Sequence, residues 1–423
     1  MQRSWVAFLL LAVSTTAALE TGNRLFLHLT YLLLAMILLS FIWTWVSLEW
    51  VEVTRETKSA RAQVGRMAEE KFTVRNTSFL PKLWLELRDH SNLPGHRASR
   101  VVHSLLPHGQ CSWEVETLCR QRGEFRLGPV VLASGDPLGL FRIQRPLLPE
   151  SDIVVYPATL EFSGLAQSVG QLSGGEVMRQ HTHHVTTNVT GIRDYLPGDS
   201  LRRIHWLSTA RLGRMIVKEF ELDPRANVWL FLDMEKEVQA GEAAPDDSPA
   251  QELSSLPSPW TIQNLDPTTE EYGVVIAGSL ARHFIARGMT VGLVSYGQRR
   301  EIIQRDRGSR QLMRILEALA TLKAKGEIPL AEVIAAEALR LGPNTAVVAI
   351  TPSQDQKWAK ALQGLTQRGV QAQAVFLDAR SFEGEKGTGE RTEITFLRDL
   401  PIYLVRRGEP IDQALSQRTR ERR

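Results

Sequence analysis

One uncharged stretch near the amino terminus limits what this chain can fold into. The segment from Leu25 to Leu48 contains no formally charged residue. As a helix it would extend roughly 36 Å, which exceeds the ~30 Å hydrocarbon core of a bilayer. Trp43, Trp45 and Trp50 lie near one end, where aromatic rings favour the membrane interface. We therefore expect this segment to cross a membrane.

A shorter apolar stretch, Trp5 to Leu19, precedes it and would reach only ~22 Å as a helix. It is either the first helix of a hairpin or a signal peptide with small residues near Ala18. Both alternatives return the chain to the cytoplasm. Positive charge collects on that side of a membrane, and four basic residues follow the second segment: Arg55, Lys58, Arg61 and Arg66. The expected location is the cell membrane, with the large C-terminal region in the cytoplasm.

Composition indicates a globular protein of more than one domain. The chain has 423 residues, of which 43% are hydrophobic and 23% are charged. Its net charge of +3 indicates no particular partner, and we expect no nucleic acid among its partners. Cys111 and Cys119 are too far apart along one predicted strand for a bridge, so reduced thiols are expected.

The chain divides into four predicted regions. Residues 1–49 form the transmembrane hairpin, or a signal peptide plus one helix. Residues 50–150 contain short alternating segments separated by Gly, Pro and Asn, which predict an all-β sandwich. Residues 151–226 comprise a linker, Gly164 to Asn188, and a charged aromatic segment. Residues 227–423 alternate strands with helices, which predicts a doubly wound α/β domain with a parallel sheet. The predicted strands are Val228–Asp233, Thr290–Ser295, Ala346–Thr351 and Gln371–Leu377, and the predicted helices are Glu270–Arg287, Ser309–Lys323 and Asp355–Arg368. We expect an acidic, flexible loop from Val238 to Pro267.

The aromatic segment from Gly191 to Leu222 has a predicted local structure. Its residues indicate a turn, a helix from Leu201 to Leu212 capped by Asp199 or Ser200, and an end at Gly213. Arg202 and Trp206 lie four residues apart, so the cation and the ring can stack. A strand is expected after Gly213.

This segment resembles the signature of the bacterial family called domain of unknown function 58, a pattern of G-x-R-x-Y-x-P-G-D-x-x-R-x-I-x-W-x-x-x-A-R and then K-E-x-E. The matching residues are Gly191, Arg193, Tyr195, Pro197, Gly198, Asp199, Arg202, Ile204, Trp206, Ala210, Arg211, Lys218, Glu219 and Glu221. Upstream, Arg122 to Pro129 and Asp136 to Phe141 resemble the R-G-x-x-x-L-G-P and D-P-x-G-L-F elements of the family. The resemblance implies that the α/β domain is von Willebrand factor type A-like.

The resemblance also implies partners and a set of site residues. The implied partners are a MoxR-type AAA+ ATPase and other membrane or envelope proteins. The residues expected to bind a partner or to form the structural signature are Arg193, Tyr195, Asp199, Arg202, Arg203, His205, Trp206, Arg211, Lys218 and Glu219. We expect Arg202, Arg203, His205 and Trp206 to form an exposed or partly exposed patch.

The ion site of a von Willebrand factor type A domain has lost its pattern here. That site uses D-x-S-x-S, because one carboxylate and two hydroxyls leave a divalent cation ready to take a further ligand from a partner. This chain has Asp233 followed by Met-Glu-Lys-Glu, so one carboxylate remains and both serines are replaced. We expect no cofactor. The alternative is Mg²⁺ held by Asp233, Glu235 and Glu237, with Asp355 as a distant ligand.

Other chemical motifs point away from catalysis. His181, His183 and His184 have the ligand type of a zinc or nickel site, but no carboxylate or cysteine cluster accompanies them. The sequence lacks a phosphate-binding loop, a G-x-S-x-G elbow and an H-E-x-x-H helix. We expect a non-catalytic, membrane-anchored scaffold or assembly factor that binds proteins. The alternatives are a metal-dependent ligand-binding or hydrolytic protein that uses Asp233, and an extracytoplasmic adhesion module.

Overall fold

The computed structural model places most of the chain in two compact units. The described residues are 4–58, 61–162, 189–196, 201, 204–220, 227–242, 265–342, 345–383 and 400–416. The first unit is built mainly from Met1–Ala158, and the second from Thr159–Ala243, Asp266–Ile315 and Lys323–Arg423. The predicted linker from Gly164 to Asn188 lies outside the described residues, as does most of the loop predicted from Val238 to Pro267.

Two apolar helices open the first unit. α1 runs Ser4–Thr21 and α2 runs Arg24–Leu48, with Asn23 between them. The Asn23 side chain accepts a hydrogen bond from the amide of Leu25 (3.0 Å), which satisfies one of the free amides at the start of α2. α2 has 25 residues and a mean hydropathy of 2.4 over its most apolar window. It is therefore long and apolar enough to be a membrane span or a signal sequence.

A β-sandwich follows α2 in the first unit. The structure describes strands β1 Val51–Thr57, β2 Arg61–Gln63, β3 Met67–Asn76, β4 Lys82–Asp89, β5 Arg100–Leu105, β6 Gln110–Leu118, β7 Gly123–Leu127, β8 Val130–Gly135, β9 Arg142–Leu148 and β10 Ser151–Tyr156. They form sheets in the orders β1-β3-β6, β5-β4-β8-β9 and β2-β10-β7.

Alternation along the strands produces the core of the sandwich. On β3, exposed and buried side chains alternate over almost the whole strand, so one face of its sheet is apolar. Phe72 of β3 stacks on Trp113 of β6, with 5.7 Å between ring centroids. Leu85 and Leu87 of β4 belong to the same buried cluster and come from the second sheet. The two sheets therefore share one hydrophobic core.

The second unit begins with a hairpin and continues as an α/β fold. The hairpin contains β11 Val189–Asp194, α3 Trp206–Leu212 and β12 Ile216–Phe220. The α/β strands are β13 Asn227–Leu232, β14 Thr290–Tyr296, β15 Arg300–Asp306, β16 Thr345–Thr351, β17 Gln371–Leu377 and β18 Ile402–Val405. The helices are α4 Thr269–Ala286, α5 Ser309–Thr321, α6 Leu330–Glu337, α7 Lys357–Thr366, α8 Ala379–Phe382 and α9 Ile411–Ser416.

The six α/β strands form one sheet in the order β15-β14-β13-β16-β17-β18. All neighbours are parallel except β14 and β15, which are antiparallel. β13 and β16 lie in the middle and are buried along almost their whole length. This burial explains their continuous apolar sequences, because both faces of a central parallel strand are covered by other elements.

The sequence patterns located the principal α/β strands. The predicted strands that begin at Val228, Thr290, Ala346 and Gln371 correspond to β13, β14, β16 and β17. The predicted helices at Glu270–Arg287, Ser309–Lys323 and Asp355–Arg368 correspond to α4, α5 and α7. β15, α6 and β18 were not predicted.

Candidate functional site

The signature segment forms a hairpin with a short helix between its strands. β11 and β12 pair antiparallel, with Arg193 opposite Val217 and Asp194 opposite Ile216. The pairing continues beyond the strands, because the amide of Tyr195 donates to the carbonyl oxygen of Met215 (2.9 Å). We call β11, α3 and β12 the signature hairpin.

The helix of this hairpin begins later than its sequence predicts. The prediction placed the start at Leu201, with Asp199 or Ser200 as the cap, whereas α3 begins at Trp206. His205 is the capping residue, since its Nδ1 accepts a hydrogen bond from the amide of Ser208 (3.3 Å). A ring nitrogen thus caps this helix, where the sequence predicts a carboxylate or a hydroxyl as the capping group. The predicted end is confirmed: Gly213 adopts the left-handed conformation with φ of 65°.

The signature hairpin has a small buried side. Ile204, Ile216 and Val217 are each at most 5% exposed. Ile204 forms an isolated bridge with Val217, and the amide of His205 donates to the carbonyl oxygen of Ile216 (2.8 Å). The chain entering α3 is therefore held against β12.

The hairpin and its connections also expose large apolar side chains. We call these residues the signature surface: Leu196 (60% exposed), Leu201 (65%), Trp206 (69%), Leu207 (68%), Leu212 (54%) and Met215 (50%). No residue of α3 is buried. A helix of seven residues is too short to fold by itself, so packing rather than intrinsic propensity normally stabilises such a helix. The signature surface therefore exposes large apolar side chains around a helix that cannot fold by itself.

The predicted site residues are distributed around this surface. Arg211 is exposed and lies four residues after Leu207 on α3, whereas Arg193, Tyr195, His205 and Lys218 are half-buried. His205 lies 2.7 Å from the hydroxyl of Ser208 through Nδ1, and Arg193 donates to the carbonyl oxygen of Asp194 (3.0 Å). Asp199, Arg202, Arg203 and the histidines 181, 183 and 184 lie outside the described residues, as does the side chain of Glu219.

The exposure of the leucines and the methionine of the signature surface was not predicted from the sequence. The predicted helix from Leu201 to Leu212 would place Ile204 and Leu207 on one side, but Ile204 is 5% exposed and Leu207 is 68% exposed. A signal was present in the sequence, because this short segment carries more large apolar residues than one small helix can bury.

Asp233 lies at the centre of the α/β sheet, directly after β13. Its side chain is 4% exposed. The hydroxyl of Thr351, at the end of the neighbouring strand β16, donates to Oδ2 (2.6 Å), and the amide of Glu235 donates to Oδ1 (3.1 Å). The order of the sheet reverses between β13 and β16, and ligands of doubly wound sheets bind at such a switch point. Asp233 therefore lies where a ligand of this fold would be expected.

Burial dominates the electrostatics of Asp233. It raises the pKa of this carboxyl to about 6, because an ionised carboxylate is poorly solvated there. The hydrogen bonds from Thr351 and Glu235 lower the pKa by less than burial raises it, and the charge of Glu235 adds to the rise. The pKa of Glu235 is raised as well, first by burial and then by the charges of Glu237, Asp355 and Glu332.

These carboxylates fit a magnesium site poorly. Both oxygens of Asp233 already accept hydrogen bonds, and Asp355 is paired with Lys357, whose Nζ lies 3.2 Å from Oδ2. In the described part of the chain no group of three or more His, Cys, Asp or Glu residues is close enough to hold a metal ion. We therefore interpret the contact between Asp233 and Thr351 as a link between two central strands.

Comparisons with known proteins find one relative and one family model that match parts of the chain. The chain is 25% identical over 236 residues to the uncharacterized protein YeaD of Bacillus subtilis (strain 168), a match that covers 53% of this chain and 58% of YeaD. The chain thus matches little more than half the length of that relative.

Similarity to solved structures is low. A CARDB domain from Pyrococcus furiosus matches 25% of this chain and 91% of its own, at 16% identity and a TM-score of 0.20. The alkylpurine DNA glycosylase AlkC of Pseudomonas fluorescens matches 25% of this chain and 30% of its own, at 17% identity and a TM-score of 0.18. The most specific match concerns the site: residues 191–247, which include α3, β12 and Asp233, match the model of the family described as "Protein of unknown function DUF58".

Proposed function

We propose that this protein is a non-catalytic, membrane-anchored scaffold that binds partner proteins through the signature surface. The main observation behind this proposal is the exposure of six large apolar side chains on one small hairpin and its connections, with Trp206 at 69% and Leu207 at 68%. Soluble surfaces rarely expose a contiguous apolar patch unless it contacts another molecule. The partner that the family resemblance suggests is a MoxR-type AAA+ ATPase, together with other membrane or envelope proteins.

The composition of the signature surface favours a protein partner. Trp and Arg are enriched among the residues that contribute most to protein interfaces. The exposed residues of α3 include Trp206 and Arg211, and the exposed Arg214 follows the helix. Arg214 forms an exposed ion pair with Asp194 (3.1 Å), which contributes little to stability at such a position. Both arginines therefore remain accessible to an acidic rim around an apolar pocket of the partner.

We infer a von Willebrand factor type A-like fold for the α/β part of the second unit. Numbered along the chain, its strands lie in the order three, two, one, four, five, six, which is a common doubly wound order. Asp233 follows the first of these strands, as the first ligand of the ion site does in such domains. The hydrogen bonds to both of its oxygens support partner binding that does not require a metal ion.

We also propose that α2 crosses the membrane and that the units after it lie in the cytoplasm. The length and hydropathy of α2 support the crossing. The basic residues that follow the helix support the orientation, although Arg55 pairs with Glu70 (2.8 Å) and Lys58 pairs with Glu69. These pairs reduce the net positive charge near the membrane.

Affinity capture tests the proposed binding surface. The full-length protein is captured from its native membrane with ATP hydrolysis blocked by a non-hydrolysable analogue, and the recovered AAA+ ATPase is quantified. Loss of one interface hot spot costs ~2 kcal/mol, which weakens binding roughly 30-fold. We expect Trp206→Ala with Leu207→Ala to lose the ATPase. Leu339→Ala is the matched control, because Leu339 is 93% exposed in the same unit.

A folding control separates binding from stability. Trp206 is 69% exposed, whereas Trp358 is 1% exposed. Trp206→Ala should change the free energy of unfolding by no more than about 0.5 kcal/mol, and Trp358→Ala should lower it by about 3–5 kcal/mol. Equal recovery of the ATPase with all variants would contradict the proposed surface. A loss of several kcal/mol in Trp206→Ala would show that this residue belongs to the core.

A further inference from the structure

Four connections between elements lie at one end of the β-sandwich. The α2–β1 junction is at this end, since Val51 pairs with Asn76 where β3 finishes. The β3–β4 and β5–β6 connections are there too, since Lys82 pairs with Leu105. The β8–β9 connection is at the same end, because β8 pairs antiparallel with β4 and finishes beside the start of β4. The helix α2 therefore enters the sandwich at the end where these loops meet.

This end carries most of the exposed large apolar residues of the sandwich. We call them the apolar end: Trp50 (56% exposed), Phe79 (84%), Leu80 (49%), Leu83 (48%), Leu106 (67%) and Leu138 (55%). In the rest of the described sandwich, only Met67 (46%) and Val101 (36%) are large, apolar and exposed. Apolar residues scattered over a surface need no explanation, but a set gathered at one end does.

Specific contacts fix α2 to the apolar end. The ammonium group of Lys82, itself 1% exposed, donates to the carbonyl oxygens of Val46 (2.7 Å) and Glu49 (3.0 Å) at the end of the helix. Inside α2, the hydroxyl of Ser40 donates to Oδ2 of Asp136 in the β8–β9 loop (2.9 Å). These contacts fix the depth of that loop relative to the helix.

Aromatic rings extend the same contact. Phe141, the last residue of the β8–β9 loop, lies edge-on against Phe41 of α2, with 5.6 Å between centroids. It also lies edge-on against Phe8 of α1, at 6.3 Å. The loop therefore touches both apolar helices. The stretch Asp136 to Phe141 is the D-P-x-G-L-F element noted in the sequence.

The exposed side chains of α2 indicate how far along this helix the lipid extends. Beside Ser40, the helix exposes Leu38, Leu39, Phe41, Ile42 and Trp45, each by 51–68%. Ser40 lies eight residues before the end of α2, which is about 12 Å along the axis. A membrane that stopped just below Ser40 would leave Phe41, Ile42 and Trp45 in water and only about 24 Å of helix in lipid, less than the ~30 Å core.

We propose that the apolar end of the sandwich is immersed in the bilayer that anchors α2, so that the sandwich itself is a lipid-binding domain. The proposal rests on the membrane anchorage proposed above. Its ligand is the interfacial layer of a lipid membrane, contacted by the rings of Trp50 and Phe79 and by four leucines. Lipid contact then continues from α2 onto the protein surface without a polar gap.

Two charged groups at this depth, Asp136 and Lys82, have hydrogen-bond partners within the protein. Asp136 accepts hydrogen bonds from Ser40 and from the amides of Leu138 (3.0 Å) and Phe141 (2.6 Å). Lys82 has its two carbonyl partners from α2. Polar groups in a membrane environment require such internal partners because lipid offers none.

Spin labels in the full-length protein test this proposal in vesicles of phosphatidylethanolamine and phosphatidylglycerol. Cys111→Ser removes one native thiol. Cys119 is 0% exposed, and burial raises its pKa to about 11, so it should not react. Labels are attached at Phe79→Cys, Leu106→Cys and Leu138→Cys. Met67→Cys is the matched control, since β3 begins there at the opposite end of the sandwich, and Leu32→Cys reports on α2.

The readout is the accessibility of each label to oxygen, which partitions into lipid, and to a nickel chelate, which stays in water. We expect the oxygen-to-nickel ratio at the three apolar-end labels to be several-fold higher than at Met67→Cys. Water-like values there, with a lipid-like value at Leu32→Cys, would overturn the proposal and leave the anchor intact. A label at Leu32→Cys that is also water-like would contradict the anchor. Low accessibility to both reagents at the apolar end would indicate a protein cover and would also overturn the proposal.

Discussion

At the scale of single residues, Asp233 combines a central position with an unfavourable charge. Its side chain is 4% exposed, and burial raises its pKa to about 6. Below the unfolded pKa of about 4, the carboxyl is protonated in both states, and Asp233 then causes no loss of stability. Between about 4 and 6 the folded state binds the proton more tightly, so stability is lost as the pH rises through this window.

The first prediction concerns Asp233→Asn. The amide keeps the shape of the side chain and carries no charge, so the variant should lack this loss of stability. The difference between the two pKa values corresponds to about 3 kcal/mol. We expect the melting temperature of the wild type to fall more than that of the variant between pH 4 and pH 7, measured by calorimetry on the full-length protein. Identical pH profiles would contradict the predicted pKa.

Mg²⁺ provides the second arm of that experiment. An ion bound at Asp233 would require the ionised carboxylate, so it would raise the melting temperature of the wild type and leave Asp233→Asn unchanged. We expect the same small effect of Mg²⁺ on both proteins, because the oxygens of Asp233 are hydrogen-bonded to Thr351 and Glu235.

Residue types in the sequence predicted some of this detail and not the rest. Gly213 was predicted as the end of α3, because glycine adopts the left-handed conformation without a steric penalty. The cap at His205 was not predicted, since histidine is not among the usual capping residues. The exposure of Leu207 depends on which other parts of the chain pack near it, and the local sequence does not specify that packing.

At the scale of elements, a buried charged network connects the strands of the sandwich. Nε2 of His96 lies 2.9 Å from Oδ2 of Asp89 and 3.6 Å from Oε2 of Glu70, and its Nδ1 lies 2.8 Å from the hydroxyl of Thr117. Arg55 forms an ion pair with Glu70 (2.8 Å). Such a network is costly to interrupt, because removal of one member leaves a buried partner unsatisfied.

The second prediction concerns Asp89→Asn. Burial raises the pKa of Asp89, but hydrogen bonds from His96 and Ser91 and nearby positive charge lower it below its ordinary value. The carboxylate therefore adds stability above about pH 4, and this contribution is lost as the pH falls through the folded pKa. We expect the variant to lower protection of the β4 and β5 amides in hydrogen exchange by about 1–3 kcal/mol at pH 7.

The same substitution at an exposed carboxylate is the control for Asp89→Asn. Asp152 lies on β10 in the same unit and is exposed, so Asp152→Asn should leave β4 and β5 unchanged. The effect of Asp89→Asn should shrink as the pH falls below about 4. An effect of constant size down to pH 3 would argue that the network does not depend on the ionised carboxylate.

The third prediction uses two glycines in the α/β fold. A Cβ atom at Gly292 on β14 would lie 2.7 Å from ring atoms of Trp229 and 3.1 Å from the carbonyl oxygen of Ile303. Gly292→Ala should therefore lower the free energy of unfolding by about 1–3 kcal/mol. A Cβ atom at Gly364 on α7 would meet open space, so Gly364→Ala should raise it by about 0.5–1 kcal/mol. Thermal denaturation of both variants measures the difference, and a neutral Gly292→Ala would show that Trp229 can shift.

Element prediction succeeded where burial is complete and failed at the edges of the sheet. β13 and β16 are buried on both faces and have continuous apolar sequences that identify them as strands. β15 is an edge strand whose sequence REIIQRD is mostly polar, and β18 has only four residues. Their strand character comes from pairing with β14 and β17. A local pattern contains too little information to predict that pairing.

At the scale of the whole molecule, the side of the membrane decides which partners are available. The fourth prediction is that the sandwich lies in the cytoplasm. In the Cys111→Ser background, Met67→Cys places a thiol on an exposed site of β3. A membrane-impermeant maleimide should label this thiol only after the membrane has been permeabilised. Labelling of intact cells would instead support an extracytoplasmic adhesion module, and detection of the protein in both samples by an antibody controls for its amount.

The junction between α2 and the sandwich has a mechanical consequence. α2 ends at Leu48 and β1 begins at Val51, so only Glu49 and Trp50 lie between them. Leu48 is already part of the sandwich core, and Lys82 holds the end of the helix. Without a flexible tether, the sandwich cannot swivel on its anchor. A motor protein that pulled on the sandwich would therefore transmit force and torque directly to the helix within the lipid, instead of stretching a linker first.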